Sequence, residues 1–189
     1  MLTETEIISG LKTGKDEAVE AVLNIFGDRL LRAALAITGD LQTAEEVVQD
    51  TLLQVCRKIH SFQEQSALQT WIFRIAVNLA KNKVRGSWFR RVIPTKEKEL
   101  NQLPDNRNSS PEVETVDRES REEVLRCLQS LPVKYREVLV LYYLEDLNIR
   151  EICAVLEQPE GTVKSKLSRG RALIKTKMET KWGVAGGTS

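Results

Sequence analysis

The chain has 189 residues, of which 28 are Lys or Arg and 27 are Asp or Glu, giving a net charge of +1. That length allows one ordinary domain or two small ones, and 41% hydrophobic with 29% charged residues is enough for packed cores and excludes wholesale disorder. No apolar run approaches the length of a membrane helix, and the N-terminus carries Glu4 and Glu6 with no basic lead, so the expectation is a soluble cytoplasmic chain without signal peptide or membrane insertion.

In chain order, the first strong pattern lies in residues 15–39. Val19, Val22, Leu23, Phe26, Leu30, Leu31 and Ala34 recur at spacings of three and four, which predicts a helix ended by Gly39-Asp40. Thr43 is placed to cap a second helix, with Glu45 and Glu46 in its first turn and Val47, Val48, Leu52, Val55 and Ile59 as its buried stripe. Residues 61–69 read as a polar loop and 70–85 as a third long helix. Between Gly86 and Pro111 the composition turns to Pro, Asn and Ser, that of a linker. Helical periodicity resumes at Val113 and Val116 and continues through Val124, Leu125 and Leu128. Leu131-Pro132 interrupts it, a helix follows over Val133 to Leu144, and two more follow that. The fold class is therefore all-α. Two small helical domains joined by a flexible linker, the second containing a helix-turn-helix, are expected over residues 1–88 and 113–180, with the linker over 89–112 and a flexible tail over 181–189.

The near-zero net charge conceals a block pattern. Residues 1–60 carry −4, 61–93 carry +5, 94–125 carry −4 and 126–189 carry +4. Two cationic segments alternate with two acidic ones, which suits either two polyanion-binding surfaces or solvated helix faces. The side chains within the blocks separate these readings.

In the second domain, Asn148 to Leu156 reads as a short helix burying Ile149, Ile152, Val155 and Leu156. A tight turn over 157–161 follows, and then a helix from about Glu160 to Lys177. On that last helix Val163, Leu167, Gly170 and Ile174 share one face. Ser165, Ser168, Arg169 and Ala172 lie opposite, flanked by Thr162, Lys164, Lys166 and Arg171, and no Asp or Glu occurs from Gly161 to Met178. Small residues bordered by cations can enter a DNA major groove closely, which is the layout of a helix-turn-helix recognition helix. The bland alternative is an αα-hairpin in an ordinary bundle.

In the first domain, Arg74, Asn78, Lys81 and Arg85 recur along one face of the 70–85 helix, with Asn82 beside them. Asn next to Arg and Lys can read base edges, and Phe62 and Trp71 are aromatic groups suited to stacking on unpaired bases. Taken alone, Trp71 and Phe73 fit a core as well or better. Cys56, Cys127 and Cys153 are odd in number and lack a CxxC or a His cluster, so they read as small, mostly buried apolar residues rather than as a disulfide or zinc framework. No nucleophile paired with a base, no carboxylate pair in an apolar pocket and no Gly-rich phosphate loop is present, so neither an enzyme nor a cofactor nor a metal site is expected.

Several of these segments together resemble a known family. Ser61-Phe62 with Thr70-Trp71-Ile72-Phe73-Arg74-Ile75-Ala76-Val77-Asn78 resembles region 2 of the extracytoplasmic-function (ECF) sigma factors of bacterial RNA polymerase. Ala44-Glu45-Glu46-Val47-Val48-Gln49-Asp50 resembles the family's polymerase-binding helix. Leu131-Pro132, Tyr135-Arg136-Glu137-Val138 and Pro159 to Lys166 with Arg169-Gly170-Arg171 resemble region 4. The resemblance implies a factor that binds bacterial core RNA polymerase and directs initiation at promoter DNA, reading the −35 element as duplex and melting and capturing the −10 element as single strand. It implies polymerase contact by Glu45, Glu46, Gln49 and Asp50, and −10 contact by Phe62, Arg74, Asn78, Lys81 and Arg85. It implies −35 contact by Thr162, Lys164, Ser165, Lys166, Ser168 and Arg169. It also implies control by an anti-sigma factor that clamps both domains. The sequence departs from the common pattern at Leu68, at Asn82, and at Lys164 and Lys166, where Arg is frequent. Lys cannot grip guanine with Arg's bidentate fork. The competing reading is a free-standing helix-turn-helix regulator whose first domain senses or dimerises, although such a protein has no reason to carry the 44–50 surface or the 74–85 stripe.

Overall fold

The computed structural model describes residues 2–91 and 123–182, and all regular structure among them is helical. Helix α1 spans Glu4–Lys12, α2 Asp16–Thr38, α3 Leu41–Lys58 and α4 Leu68–Arg91, with a single 3-10 turn, Ile59–Ser61, after α3. Residues 123–129 form α5. Then come α6 at Val133–Leu139, prolonged by a π-helical turn at Val140–Leu144, α7 at Ile149–Leu156 and α8 at Glu160–Trp182.

Local chemistry fixes these boundaries. Thr3 and Glu6 form a reciprocal capping box at the start of α1, and Asn148 with Glu151 forms another at α7. Helix α2 stops at Gly39, whose φ of 81° and N–H bond to the Leu35 carbonyl make a left-handed cap that a side chain would strain. Asp40, not Thr43, caps α3: its carboxylate accepts from the Thr43 N–H at 2.8 Å and from the Thr43 hydroxyl. The aspartate wins because the residue just after the glycine turn already has the extended backbone of a cap.

Helices α2, α3 and α4 pack on one another, with α1 laid across α2. Helices α6, α7 and α8 make the second bundle, with α8 seated mainly on α6. A Cβ built at Gly170 would lie 3.0 Å from Leu139, so the glycine permits α8 to approach α6 closely. The buried residues of both bundles form one continuous core. Helix α4 packs on α7, and α2 touches α6 and the π-turn, which explains why Ala33 to Ile37 of α2 are buried on every side.

Several expectations change. The 70–85 helix begins two residues earlier and runs through Arg91, which carries helix into the segment read as linker. The rest of that linker, Val113, Val116 and most of the tail lie outside the described residues. Helix α1 had no counterpart in the sequence reading. Leu23 and Val124 are exposed rather than part of a buried stripe. Among the cysteines, Cys56 is exposed and Cys127 and Cys153 are half-buried, so the expectation of mostly buried thiols is corrected. Cys56 follows the buried Val55 by one position, which turns it about a quarter of the helix circumference away from the core.

A buried guanidinium helps join the two bundles. Arg136 on α6 donates Nε–H to the Leu128 carbonyl at 2.9 Å and an Nη2 proton to that of Leu131 at 2.8 Å. Further bonds run to the carbonyls of Gln129 and of Ile37, the latter on α2 of the first bundle. Burial lowers the guanidinium pKa, but these carbonyls keep the charge solvated by protein. Arg136→Lys has one point charge in place of a planar fork and orphans buried carbonyls; a loss of about 3 kcal/mol in urea-unfolding stability is expected.

Candidate nucleic-acid interface

Three surfaces bear the predicted residues. The first is the outer face of α3. Glu45 and Gln49 are exposed, and Glu46 and Asp50 share one cation, Lys83 of α4, at 3.0 and 3.3 Å. The Glu46 hydrogen bond, aided by Asp50, raises the Lys83 pKa. One turn further along the same face stands Leu53, 54% exposed, an apolar group the sequence reading left unplaced. Its signal was there: it sits four residues after Gln49 and outside the Val47, Val55, Ile59 stripe. An apolar knob ringed by carboxylates and an amide is suited to a protein partner with basic and apolar groups rather than to DNA.

The second surface is α4, and here the structure divides the expected stripe. Asn78 and Arg85 are exposed. Arg74 and Lys81 are not free: Arg74 donates Nε–H to the Ala154 carbonyl at 2.9 Å and pairs with Glu157 at 3.3 Å, both in the second bundle. Lys81 lies 3.0 Å from Oε2 of Glu137 on α6, an ion pair without hydrogen-bond alignment. Phe62 does not present its ring. It is 6% exposed and packs on Trp71 with ring centroids 5.1 Å apart, so in this arrangement no face is open to a base. Phe73 is fully buried and Trp71 half-buried, in keeping with core roles.

The third surface is α8. Its inner residues Val163, Leu167 and Gly170 are buried, whereas Thr162, Lys164, Ser165, Ser168, Arg169 and Arg171 are exposed, the division that helical periodicity predicts. An open cleft of about 330 Å³ is lined by Thr162, Ser165, Lys166 and Arg169 together with Lys134 and Tyr135 from the start of α6. A hydrogen bond from Arg169 lowers the Tyr135 pKa, with Lys134 adding to the effect. Neither Lys134 nor Tyr135 was among the expected DNA contacts, although Tyr135 is part of the region 4 resemblance, because they belong to α6 by chain position and to the cleft only by folding. Lys164 pairs with Glu160 one turn away, and that pairing lowers the Glu160 pKa. Lys166 turns inward, its side chain 17% exposed, and donates to Glu137 at 2.9 Å.

A smaller cleft, about 180 Å³, lies where α4 meets α6 and α8, lined by Lys81, Arg85, Lys134, Glu137 and Lys166 among others. Four cations around one buried carboxylate leave a positive local field. Arg171 stacks on Tyr142 and Tyr143, at 5.2 and 5.5 Å from the ring centroids, which occupies its guanidinium face. Among the described residues no group of three or more His, Cys, Asp or Glu could hold a metal ion, and no helix is long and apolar enough to cross a membrane.

Family models match two parts of the chain: Sigma-70 region 2 over residues 24–90 and Sigma-70, region 4 over residues 121–174. The ECF RNA polymerase sigma factor SigW of Bacillus subtilis is 27% identical over 176 residues, covering 90% of this chain and 94% of its own. The ECF RNA polymerase sigma-E factor of Escherichia coli K12 is 28% identical over 187 residues, covering 94% and 95%. Of solved structures, CnrH in complex with the cytosolic domain of CnrY aligns with a TM-score of 0.70 at 20% identity over 94% of this chain and 97% of that one. The sigma factor RpoE of Bartonella quintana, in complex with the anti-sigma factor NepR, aligns with a TM-score of 0.66 at 22% identity over 88% and 97%. The helices are thus arranged as in these proteins.

The Lys83 cluster is partly exposed on all three members, and such pairs contribute little to folding. Lys83→Met is expected to change unfolding stability by less than about 1 kcal/mol in urea titrations, because all three charges keep much of their hydration.

Proposed function

The chain belongs to the ECF sigma factors of bacterial RNA polymerase, and with that membership as premise we propose how its surfaces divide the work of promoter-directed initiation. A member of this family acts as an initiation factor and leaves the chemistry of RNA synthesis to the polymerase. Helix α8 reads the −35 duplex. The observation that carries this is its outward face of Thr162, Ser165, Ser168 and Arg169, small enough for groove entry and flanked by cations. Arg169 is the residue suited to a base edge, since it is exposed and lines the open cleft beside Tyr135, whereas Lys164 serves a phosphate.

The α3 face, Glu45, Glu46, Gln49 and Asp50 with Leu53 added, is the docking surface for core polymerase. Its acidity keeps it from competing for DNA. Asn78 and Arg85 on α4 are the exposed groups suited to the unpaired −10 strand, with Arg74 and Lys81 joining them once released from the second bundle. Control by an anti-sigma factor is proposed by likeness to the Bartonella quintana factor, whose structure contains one.

In vitro transcription with purified core polymerase and a promoter selected from random sequence by the reconstituted holoenzyme tests the assignment. Arg169→Ala should weaken −35 duplex binding by about 1–3 kcal/mol and relax preference at one base position. Asn78→Ala should slow strand opening, followed by permanganate reactivity, while leaving −35 affinity within about twofold. Equal effects of both substitutions on both assays would contradict the division between the two helices.

A further inference from the structure

The smaller cleft, between α4, α6 and α8, gathers charge in a way that no single helix does. Lys81 and Arg85 come from α4, Lys134 from α6 and Lys166 from α8, against a single carboxylate among the described lining residues, Glu137. Four positive charges and one negative leave a net +3 around about 180 Å³. Like charges brought this close repel one another, so an anion that enters the cleft is held by all four.

The cleft also holds two acceptors that lack a hydrogen-bond donor among the described residues. Glu137 is 1% exposed and accepts from Lys166 on Oε1 at 2.9 Å. Its Oε2 has the ammonium of Lys81 at 3.0 Å as an ion pair but receives no hydrogen bond. Oε1 of Gln158, another lining residue, is likewise buried without a donor. A buried acceptor left without a donor is costly. The ligand that answers both features is anionic overall and still carries protons to donate. Phosphate does so at neutral pH through P–O–H groups, and its dihydrogen form has one for each orphaned acceptor; sulfate has none. At about 30 Å³ per water in the liquid, the cleft has room for about six waters, enough for one phosphate but not for a nucleoside.

We infer that this cleft is a binding site for one inorganic phosphate, held by Lys81, Arg85, Lys134 and Lys166 and selected by Glu137, which accepts from its P–O–H. The incoming anion draws the Lys81 ammonium toward itself, and the phosphate proton takes the place beside Oε2. A carboxylate repels an unprotonated oxyanion at the same position, which is the basis of selection. The site stands independently of the DNA reading of α4 and α8.

Isothermal titration calorimetry of the full-length chain with inorganic phosphate and with sulfate, at constant ionic strength, tests the site. Phosphate should bind once per chain with a Kd of about 1 mM or tighter, and sulfate about tenfold more weakly or worse. Glu137→Gln removes a negative charge, so a cleft that merely attracts anions would bind both more tightly and keep their ratio. If Glu137 accepts the phosphate proton, the amide, able to donate to sulfate as readily as accept from phosphate, should bring that ratio close to one. Lys134 is exposed, so Lys134→Met should keep full helicity by circular dichroism while weakening phosphate about fivefold, a readout that holds even if Glu137→Gln fails to fold. Equal wild-type affinity for the two anions, no binding heat up to about 10 mM phosphate, or undiminished phosphate affinity in Lys134→Met would overturn the assignment. A folded Glu137→Gln variant with the wild-type ratio would overturn it as well.

Discussion

The arrangement depends on the burial of Arg136. A guanidinium without water requires acceptors in a fixed plane, and among the described residues it finds them in main-chain carbonyls at the end of α5, in the 129–131 turn and at the end of α2. They lie at helix ends and in a turn, where carbonyls have accepting capacity to spare (that of Leu128 also accepts from the Leu131 N–H), so the same contact solvates the charge and helps satisfy the chain ends. Because one acceptor, Ile37, lies in the first bundle, the internal order of the second bundle and its seating on the first are coupled. Three quite different inter-bundle contacts, Arg29 with Glu145, Lys81 with Glu137, and Arg74 with Ala154 and Glu157, are then held in register.

The electrostatics of the molecule follow from that seating. The sequence alternates acidic and basic blocks, and folding pairs individual charges across the chain: Lys83 with Glu46 and Asp50, Arg29 with Glu145, and Arg74 and Lys81 with carboxylates of the net-positive second bundle. The exposed remainder differs from the composition: α3 keeps its acids with Lys83 inserted among them, α8 keeps its outer cations, and α4 keeps Asn78 and Arg85. Acidic and cationic surfaces are thereby carried on different helices.

How far the sequence carried this depends on the range of the interaction. Helix periods, the stop at Gly39 and the inner face of α8 all depend on neighbours within a few positions and were legible. Helix α1 was not read, since nine residues are too few to stand by propensity, and its Ile7, Ile8 and Leu11 matter only once α2 covers them; its Thr3 and Glu6 capping box was the available sign. Phe62 shows the limit of local reading. An aromatic group in a polar loop fits a base platform or a core plug equally well, and only the position of Trp71 decides. Arg74 and Glu157, or Lys81 and Glu137, are separated by dozens of residues in sequence, so no periodicity announces them.

The π-helical turn at Val140–Leu144 has a consequence for which changes of length this chain can accept. The Glu145 N–H reaches back five residues to the Val140 carbonyl, so the helix holds one residue more than an α-turn would. Deleting that one residue would tighten the turn to ordinary α geometry and leave the chain beyond it in nearly the same direction, because the wide turn is what absorbs the extra residue. Glu145 would then keep its approach to Arg29, and α7 its angle to α4. A single-residue deletion in the turn is therefore open to this chain, whereas volume changes at Val140 and Leu141, both fully buried, are not. Among related chains that share this seating of the two bundles, the spacing between Arg136 and Glu145 is expected to be one residue shorter where the wide turn is absent.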